Sequence, residues 1–517
     1  MDYFKPRIFS RIMIVACLLV GMTLVPEYVN AIPSFPGAQG MGANSVGGRG
    51  GTVYIVDTLS DNPDEGMTFR EAAQATGPRI IVFAVSGIID LNDRLMITTP
   101  YITIAGETSP GGILVSGWSV LIETHDVIMR HIRIRNGCQK CYAAANCSDH
   151  GDALSIYGLP KPYGAPAPLD AYNIIVDHCS ISWGCDETMD FGADRARIDN
   201  VTVSNCLIAE GVNDAHSEPN HARGLFLWGK RTLPGQPVRA SFYRNLIMSF
   251  ESRLPLANYN VSFDFVNNVV YNFNSQATPQ LEPINGYKIE TNMIQNYIKP
   301  GPISGKPYPT GIGREINVVG DGQGGHIPVA FEPPYPMIYS LGNIGYTRQT
   351  QTGDDWIVSE GWSPTTLLSK NFQRTTPFPS PGGLPLHIVI MSKPCADAIV
   401  ETVGAIKPVR DSVDLRLVNE YRAGDKGKYT TIRSYPSDFP VFLSPPSPAD
   451  TDHDGMADTW ESLEGLNPNA NDSMLDKDDD GYTNIEEYLH FLSGSVPANP
   501  ECLPYVYTPE IKGILIQ

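Results

Sequence analysis

The chain has 517 residues, of which 42% are hydrophobic and 18% charged, with 48 Gly and 43 Pro. That is enough apolar sequence for a large core spread over about two to four domains, and the Gly and Pro content favours an all-β, loop-rich protein over a helical one. A formal net charge of −19 excludes nucleic acid as a partner, because its phosphates would be repelled.

At the N-terminus the basic start MDYFKPRIFSR precedes an apolar run from Ile12 to Val25, and PEYVNA then offers Val29 and Ala31. This reads as a secretory signal peptide over 1–31, cleaved after Ala31. IVAC, ending at Cys17, fits a lipobox loosely, but too little apolar sequence precedes it. No later stretch reaches the roughly eighteen apolar residues of a membrane span, so the mature protein is expected outside the cytoplasm, secreted to the exterior or the periplasm. Export places the cysteines in an oxidising setting. Without Cys17 they are Cys138, Cys141, Cys147, Cys179, Cys185, Cys206, Cys395 and Cys502, an even set that permits disulfides without fixing their connectivity. Cys138 and Cys141 form a lone CxxC, and with no second one at zinc spacing a structural disulfide is the better reading.

MTFREAAQAT, Met67 to Thr76, is a short amphipathic segment ahead of the first strongly apolar strand, and is expected to be a helix capping the fold. From about 80 to 300 a short pattern then recurs: alternating branched apolar residues, a polar His or Asn, and further apolar residues. VIMRHIRI, IIVDHCSI, VTVSNCLI, ASFYRNLI, FDFVNNVV and NMIQNYI place His131, His178, Asn205, Asn245, Asn268 and Asn296 at one equivalent turn position. Such spacing predicts a parallel β-helix over 32–330, with stacked Asn side chains along its axis. A β-sandwich of short strands would not require an Asn at one register, and hairpin dipeptides are few. Over 331–443 the pattern fades into helical pieces broken at Pro408, expected to pack back on the solenoid. LSPPSPA then leads to an acidic module at 444–495 and a tail at 496–517.

Two EF-hand-type loops make up that module. In DTDHDGMADTWE, Asp450, Asp452, Asp454, Asp458 and Glu461 hold loop positions 1, 3, 5, 9 and 12, with Gly455 at the sharp turn and Met456 offering its carbonyl. In DKDDDGYTNIEE the same places fall on Asp476, Asp478, Asp480, Asn484 and Glu487, with Gly481 and Tyr482. Oxygen ligands at this spacing wrap a Ca²⁺-sized hard cation. A merely solvated acidic linker would not keep both glycines and both terminal glutamates in register. Calcium here serves stability, or, since the duplicated loops resemble dockerin modules, a protein partner.

Within the solenoid, SDHGDALSI and VDHCSISWGCDETMD gather Asp149, Asp152, Asp177, Asp186, Glu187 and Asp190. Residues at equal register on consecutive coils lie about 4.8 Å apart, so Asp152 can meet Asp186 and Asp190 from the next coil. Carboxylates that close require a cation or a shared proton. Asp177 and His178 read instead as turn residues.

Taken together, SFPGAQG, GGRGG, GPRIIVFAVSGIIDL, ITIAGETSPGG, DHCSISWG and RNLIMSFESRLPLAN resemble the bacterial pectate lyases of polysaccharide lyase family 1, over about 32–430. The resemblance implies a right-handed parallel β-helix of the pectin lyase type and a monomeric, Ca²⁺-dependent enzyme acting on pectate. It also implies Asp152, Asp186 and Asp190 as calcium ligands and Arg253 as the base, with His221 or Arg223 holding substrate carboxylate. In this sequence Asn258 stands where many relatives have a further substrate-binding arginine, and His150 where some have an additional aspartate. Two other readings compete. A polygalacturonase-type hydrolase on the same solenoid needs two carboxylates about 6.5–9.5 Å apart, but the chain lacks the Asn-Thr-Asp and Gly-His-Gly motifs of that family. A non-catalytic, calcium-stabilised carbohydrate-binding or adhesive solenoid would leave Arg253 in SRLPL unexplained.

Overall fold

Short runs of branched apolar residues pair edge to edge into parallel sheets, and each coil of chain supplies one strand to each sheet in turn. Among the described residues of this computed structural model three sheets of ten, seven and eight strands have every neighbouring pair parallel, while a small separate pair, Ile388–Val389 with Pro504–Tyr505, is antiparallel. The fold is thus a parallel β-helix. The structure describes residues 32–145, 147, 151–159, 169–218, 220–232, 236–274, 280–282, 287–304, 337–345, 348–350, 373–381, 383–384, 387–425, 430–494, 502 and 504–505. The signal-peptide reading and Asp149 and His150 lie outside them.

One inward register position shows how the core is built. It runs through Ile81, Ile104, Met129, Val176, Val203, Phe242, Phe265 and Met293 on successive strands of the ten-stranded sheet, all within one buried cluster. Alternation brings every second residue of each strand inward, and stacking coils makes that row continuous.

From the strand His125–Arg130 onward, the turn after each strand of this sheet holds a residue in the left-handed region. His131, His178 and Asn205 supply it, followed on later coils by Arg244, Asn267 and Gln295, with φ between 49° and 56°. The expectation that Asn245, Asn268 and Asn296 share this position is corrected: they stand one residue further along, level with Ile132, Cys179 and Cys206. There they form the axial ladder. The backbone N–H and Nδ2 of Asn245 both donate to Asn268 Oδ1 at 3.0 Å, Asn268 donates likewise to Asn296 Oδ1, and Asn296 to Asn343 Oδ1. Each Nδ2 also reaches a carbonyl of the preceding coil, as Asn268 does to Phe242 O at 2.9 Å. Asn268→Ala would strand buried donors and an acceptor on both neighbours, so a loss of about 3 kcal/mol is expected, read as a lower urea midpoint of unfolding.

Two of the three outer faces are covered. Helices Lys393–Thr402 and Ser412–Ala423 bury Ile399, Val400, Leu417 and Tyr421 against Leu207, Leu246, Met248 and Tyr271 of the eight-stranded sheet. Helices Asp458–Glu464 and Asn484–Ser493 of the acidic module set Met456, Trp460, Ile485 and Leu489 against Ile80, Val82 and Ala105 of the ten-stranded sheet. Among the described residues the outer face of the seven-stranded sheet stays partly exposed, as Phe226, Trp228 and Lys230 on the strand Arg223–Lys230 show. Helix Phe69–Gln74, begun by a Thr68 capping box with Glu71, packs Phe69, Ala72 and Ala73 into the interior cluster.

The solenoid runs past the boundary at 330. Strand Met337–Leu341 pairs in parallel with Ile289–Ile294 as the last strand of its sheet, displaced in sequence by the long segment between them. Disulfides join Cys138 to Cys185, Cys141 to Cys147, and Cys395 to Cys502, while Cys179 and Cys206 are free and buried. Among the described residues no helix is long and apolar enough to cross a membrane.

Candidate active site

The open face of the seven-stranded sheet carries the solenoid carboxylates. Strands Leu154–Gly158, Glu187–Asp194, Arg223–Lys230 and Leu256–Tyr259 lie side by side. Their inward positions are Leu154, Met189 and Leu225, so the intervening residues point outward. One outward row is Ser155, Asp190, Phe226, Leu256, and the next is Tyr157, Gly192, Trp228, Asn258. A Cβ at Gly192 would fall 2.2 Å from the Trp228 ring, so only glycine lets the indole lie across this coil.

Asp152 precedes the first of these strands, and Asp186 lies in the turn that opens the second. Cys185 anchors that turn through its disulfide to Cys138 and its N–H to Gly151 O at 2.6 Å. One ligand atom from each of Asp152, Asp186 and Glu187 lies within 4.8 Å of the other two. Asp152 Oδ1 accepts the Glu187 N–H at 3.0 Å, and its Oδ2 accepts Ser155 Oγ at 2.8 Å. The Tyr157 hydroxyl stands between two carboxylates, 3.0 Å from Asp152 Oδ2 and 2.7 Å from Asp190 Oδ2. Trp228 Nε1 donates to Asp190 Oδ1 at 3.0 Å. Burial and the adjacent Asp186 push the Asp152 carboxyl up to about 7 against the Ser155 and Tyr157 hydrogen bonds. Burial and Asp152 push Asp190 well above the usual carboxylate range.

Arg253 stands at the rim of this cluster. Its guanidinium pairs with Glu187 and lies 5.0 Å from the centroid of the Phe226 ring. Its backbone, at φ 66°, occupies the left-handed region, a conformation costly for a side chain with a Cβ, and its carbonyl accepts the Leu225 N–H at 2.7 Å. Gly224 permits that approach, since a Cβ there would meet Arg253 O at 2.4 Å.

Asp152, Asp186, Asp190 and Arg253 are therefore brought together as the sequence led us to expect. His221 joins them differently: its Nε2 sits 2.8 Å from Asp186 Oδ1, on the carboxylate cluster itself. Arg223 donates to Ser252 Oγ, next to Arg253, and Asn258 lies on the following coil beside Trp228. Glu187, Tyr157 and Trp228 were not selected from sequence. Glu187 was visible among the gathered carboxylates; the two aromatic residues carried no signal before the register was known. Such a crowd of buried carboxylates and its oxygen-only donor set fit a hard divalent cation.

The acidic module forms a separate group on another sheet. Ligand atoms of Asp450, Asp452 and Asp454 lie within 4.8 Å of one another, and so do those of Asp454, Glu461 and Asp472. Both carboxylate oxygens of Asp452 and of Glu461 are buried without a hydrogen-bond partner, as is Asp476 Oδ1 in the second loop. Burial, with Asp454, Asp452 and Asp472 close by, pushes Glu461 up to about 7. These orphaned oxygens fit a cation of the same kind. Met456 and Tyr482 are buried at their loop positions, and Asp480 accepts the Tyr482 N–H at 2.9 Å. Asp478 is exposed, and Glu487 is raised by burial and the neighbouring Asp480 and Asp478. Two expected ligands also make hydrogen bonds with their neighbours. Asp458 accepts the Thr451 N–H and Oγ1 at 2.8 and 2.7 Å, and Asn484 Nδ2 donates to Asp472 O at 2.9 Å.

A parallel β-helix with acidic residues and an arginine on its one open face belongs, in this chain, to a polysaccharide lyase. The chain is a member of the pectate lyase family. It is 31% identical over 479 residues to a probable pectate lyase C of Aspergillus flavus, covering 92% of this chain and 97% of that one. With the Aspergillus fumigatus protein of the same name it shares 31% over 485 residues, 92% of this chain and 98% of that one. A solved Bacillus subtilis pectate lyase aligns at 12% identity and a TM-score of 0.37, over 73% of this chain and 98% of that one. No protein-family model matches the chain.

Proposed function

We propose that the enzyme cleaves polygalacturonate by calcium-dependent β-elimination, releasing 4,5-unsaturated oligogalacturonates. Relatives named pectate lyase support the substrate class, and the meeting of Asp152, Asp186 and Glu187 beside Arg253 is the observation that carries the chemistry. Asp152, Asp186, Glu187 and Asp190 would hold the ion, with Asp149 a further candidate. Ca²⁺ bound there would neutralise the uronate carboxylate and acidify the adjacent C5–H.

Arg253 takes the C5 proton. The electron pair of that bond becomes the C4–C5 double bond, the bond from C4 to the glycosidic oxygen breaks, and solvent protonates the departing sugar. An arginine side chain is ordinarily protonated, so the rate is expected to rise toward alkaline pH. Tyr157 and Trp228 orient Asp190, and His221 orients Asp186. Arg223 steadies the turn leading into Arg253, while Asn258 faces substrate on the next coil. Helix Phe69–Gln74 caps the solenoid. The module's loops bind Ca²⁺ for stability, since Met456, Trp460, Ile485 and Leu489 seat the module on the ten-stranded sheet. The enzyme is read as monomeric and exported behind a signal peptide.

The test is ultraviolet absorbance of the unsaturated product on incubation with polygalacturonate at alkaline pH. A rise that needs Ca²⁺ and vanishes in EDTA is expected; new reducing ends without absorbance would assign hydrolysis instead. Because a proton competes for Asp152, whose carboxyl is pushed up to about 7 by burial and Asp186, the Ca²⁺ needed for half-maximal rate should climb as pH falls through that value.

A further inference from the structure

We propose that the cation of the first module loop takes a ligand from outside the loop: Asp472, from the segment joining the module's two helices, serves where the loop pattern would use Asp458. This rests on the calcium reading of the loops. Its chemistry is that of a hard, Ca²⁺-sized divalent cation, because every side-chain donor in the group is a carboxylate oxygen.

Glu461 is fully buried, yet neither of its carboxylate oxygens has a hydrogen-bond partner. Asp472 Oδ1 is buried and unpartnered as well, and a ligand atom from each of Asp454, Glu461 and Asp472 lies within 4.8 Å of the others. Three acidic side chains converging on one point, two of them with orphaned oxygens, are strongly unfavourable unless a cation satisfies them. The group of three does not include Asp458, each of whose oxygens accepts a hydrogen bond from Thr451.

The position of Asp472 also ties the two loops together. Its N–H points to Asp454 Oδ2 at 3.3 Å, in the first loop. Its carbonyl accepts Asn484 Nδ2 at 2.9 Å, and Ser473 O accepts the Ile485 N–H at 2.9 Å, both at the start of the second loop's helix. A cation held by Asp472 therefore fixes the entry of that helix, which in turn is fastened to the solenoid. Glu486 pairs with Arg49 at 2.9 Å, Tyr482 donates to Pro33 O at 3.0 Å, and Ser493 donates to Glu107 Oε1 at 3.1 Å. On the first loop, Gly455 presses so closely on the sheet that a Cβ would lie 2.7 Å from Val53. Calcium in the module should thus stabilise the N-terminal coils of the solenoid as well as the module.

The experiment uses the full chain, titrated with CaCl₂ in a calorimeter and melted with and without Ca²⁺. Asp472→Asn keeps the shape of the side chain and removes its charge. It is expected to weaken binding at one site by about tenfold or more and to shrink the Ca²⁺-dependent rise in Tm, with Tm in EDTA no lower than that of wild type. Asp458→Asn is expected to bind within about twofold of wild type. A chain with Asp450→Ala and Asp476→Ala sets the baseline. If it binds as much Ca²⁺ as wild type, the calcium reading of the loops fails. If it loses sites but Asp472→Asn does not weaken binding, or Asp458→Asn is the variant that does, the assignment of Asp472 is overturned while the loops stand.

Discussion

Arg253→Ala is expected to lower kcat on polygalacturonate by about a thousand-fold, within the range for loss of a proton-transfer group, while KM changes little. Arg253 is held both at its backbone and at its guanidinium. Its backbone is fixed by the Leu225 N–H and the close pass of Gly224, and its head lies between Phe226 and Glu187. A side chain gripped so firmly beside the carboxylates is placed to act on a proton next to a bound uronate. Truncation also leaves the buried Glu187 without its partner, so a loss of fold could mimic a loss of chemistry. Arg253→Lys separates the two: it keeps a cation for Glu187 but gives up the planar fork. A Lys variant that melts like wild type yet loses about a hundred-fold in kcat would assign the loss to chemistry. Near-wild-type rates in either variant would put the base elsewhere.

The solenoid was legible because its signal repeats: one apolar register runs from Ile81 to Met293 along the whole core. What the repeats hid was a one-residue offset. In YRN, VNN and IQN the left-handed residue and the ladder Asn are adjacent and both polar, whereas in DHC and SNC the ladder place is held by cysteine. Pattern alone aligned the single polar residue of one group with the second polar residue of the other, and strand pairing separates them. The same reason explains the pair left reduced. Cys179 and Cys206 occupy ladder places on adjacent coils, and nothing local distinguishes them from cysteines that bridge.

At the site, the spacing of consecutive coils leads one to expect Asp186 and Asp190 beside Asp152. The strand begins only at Glu187, so strict alternation does not govern the turn before it, and Asp186 and Glu187 both reach Asp152. The pairing of His221 with Asp186 and of Asp458 with Thr451 depends on side-chain direction in loops, where no periodicity exists to read.

Arg135→Met should destabilise the protein by about 3–5 kcal/mol, the cost of leaving a buried charge without its partner. Arg135 has no exposed surface. It donates to Asp411 at 2.6 and 3.2 Å, to Asp414 at 2.7 Å and to Ser182 Oγ at 3.2 Å, while Arg133 pairs with Asp411 at 3.2 Å. Two arginines of the eight-stranded sheet thus face two aspartates of the C-terminal extension in a neutral, fully buried set. Asp411 is also the N-cap of helix Ser412–Ala423, accepting the N–H groups of Val413 and Asp414 at 2.9 Å. Losing Arg135 leaves one net negative charge in the seam and loosens the cap together with the helix it starts. Burial alone would raise the Asp411 carboxyl; Arg135 and then Arg133 overcome that and hold it at about 2. A carboxyl depressed in the folded state stabilises above its unfolded value of about 3.9 and ceases to do so as pH falls through about 2. The wild type should therefore lose this contribution between about pH 4 and 2, and Arg135→Met should show a weaker pH dependence there. Combining Arg135→Met with Asp414→Leu removes charges in pairs and is expected to recover part of the loss. Urea midpoints of wild type, Arg135→Met, Asp414→Leu and the double variant at neutral pH and at pH near 3 measure it, and strictly additive losses would mean that the pair is not coupled.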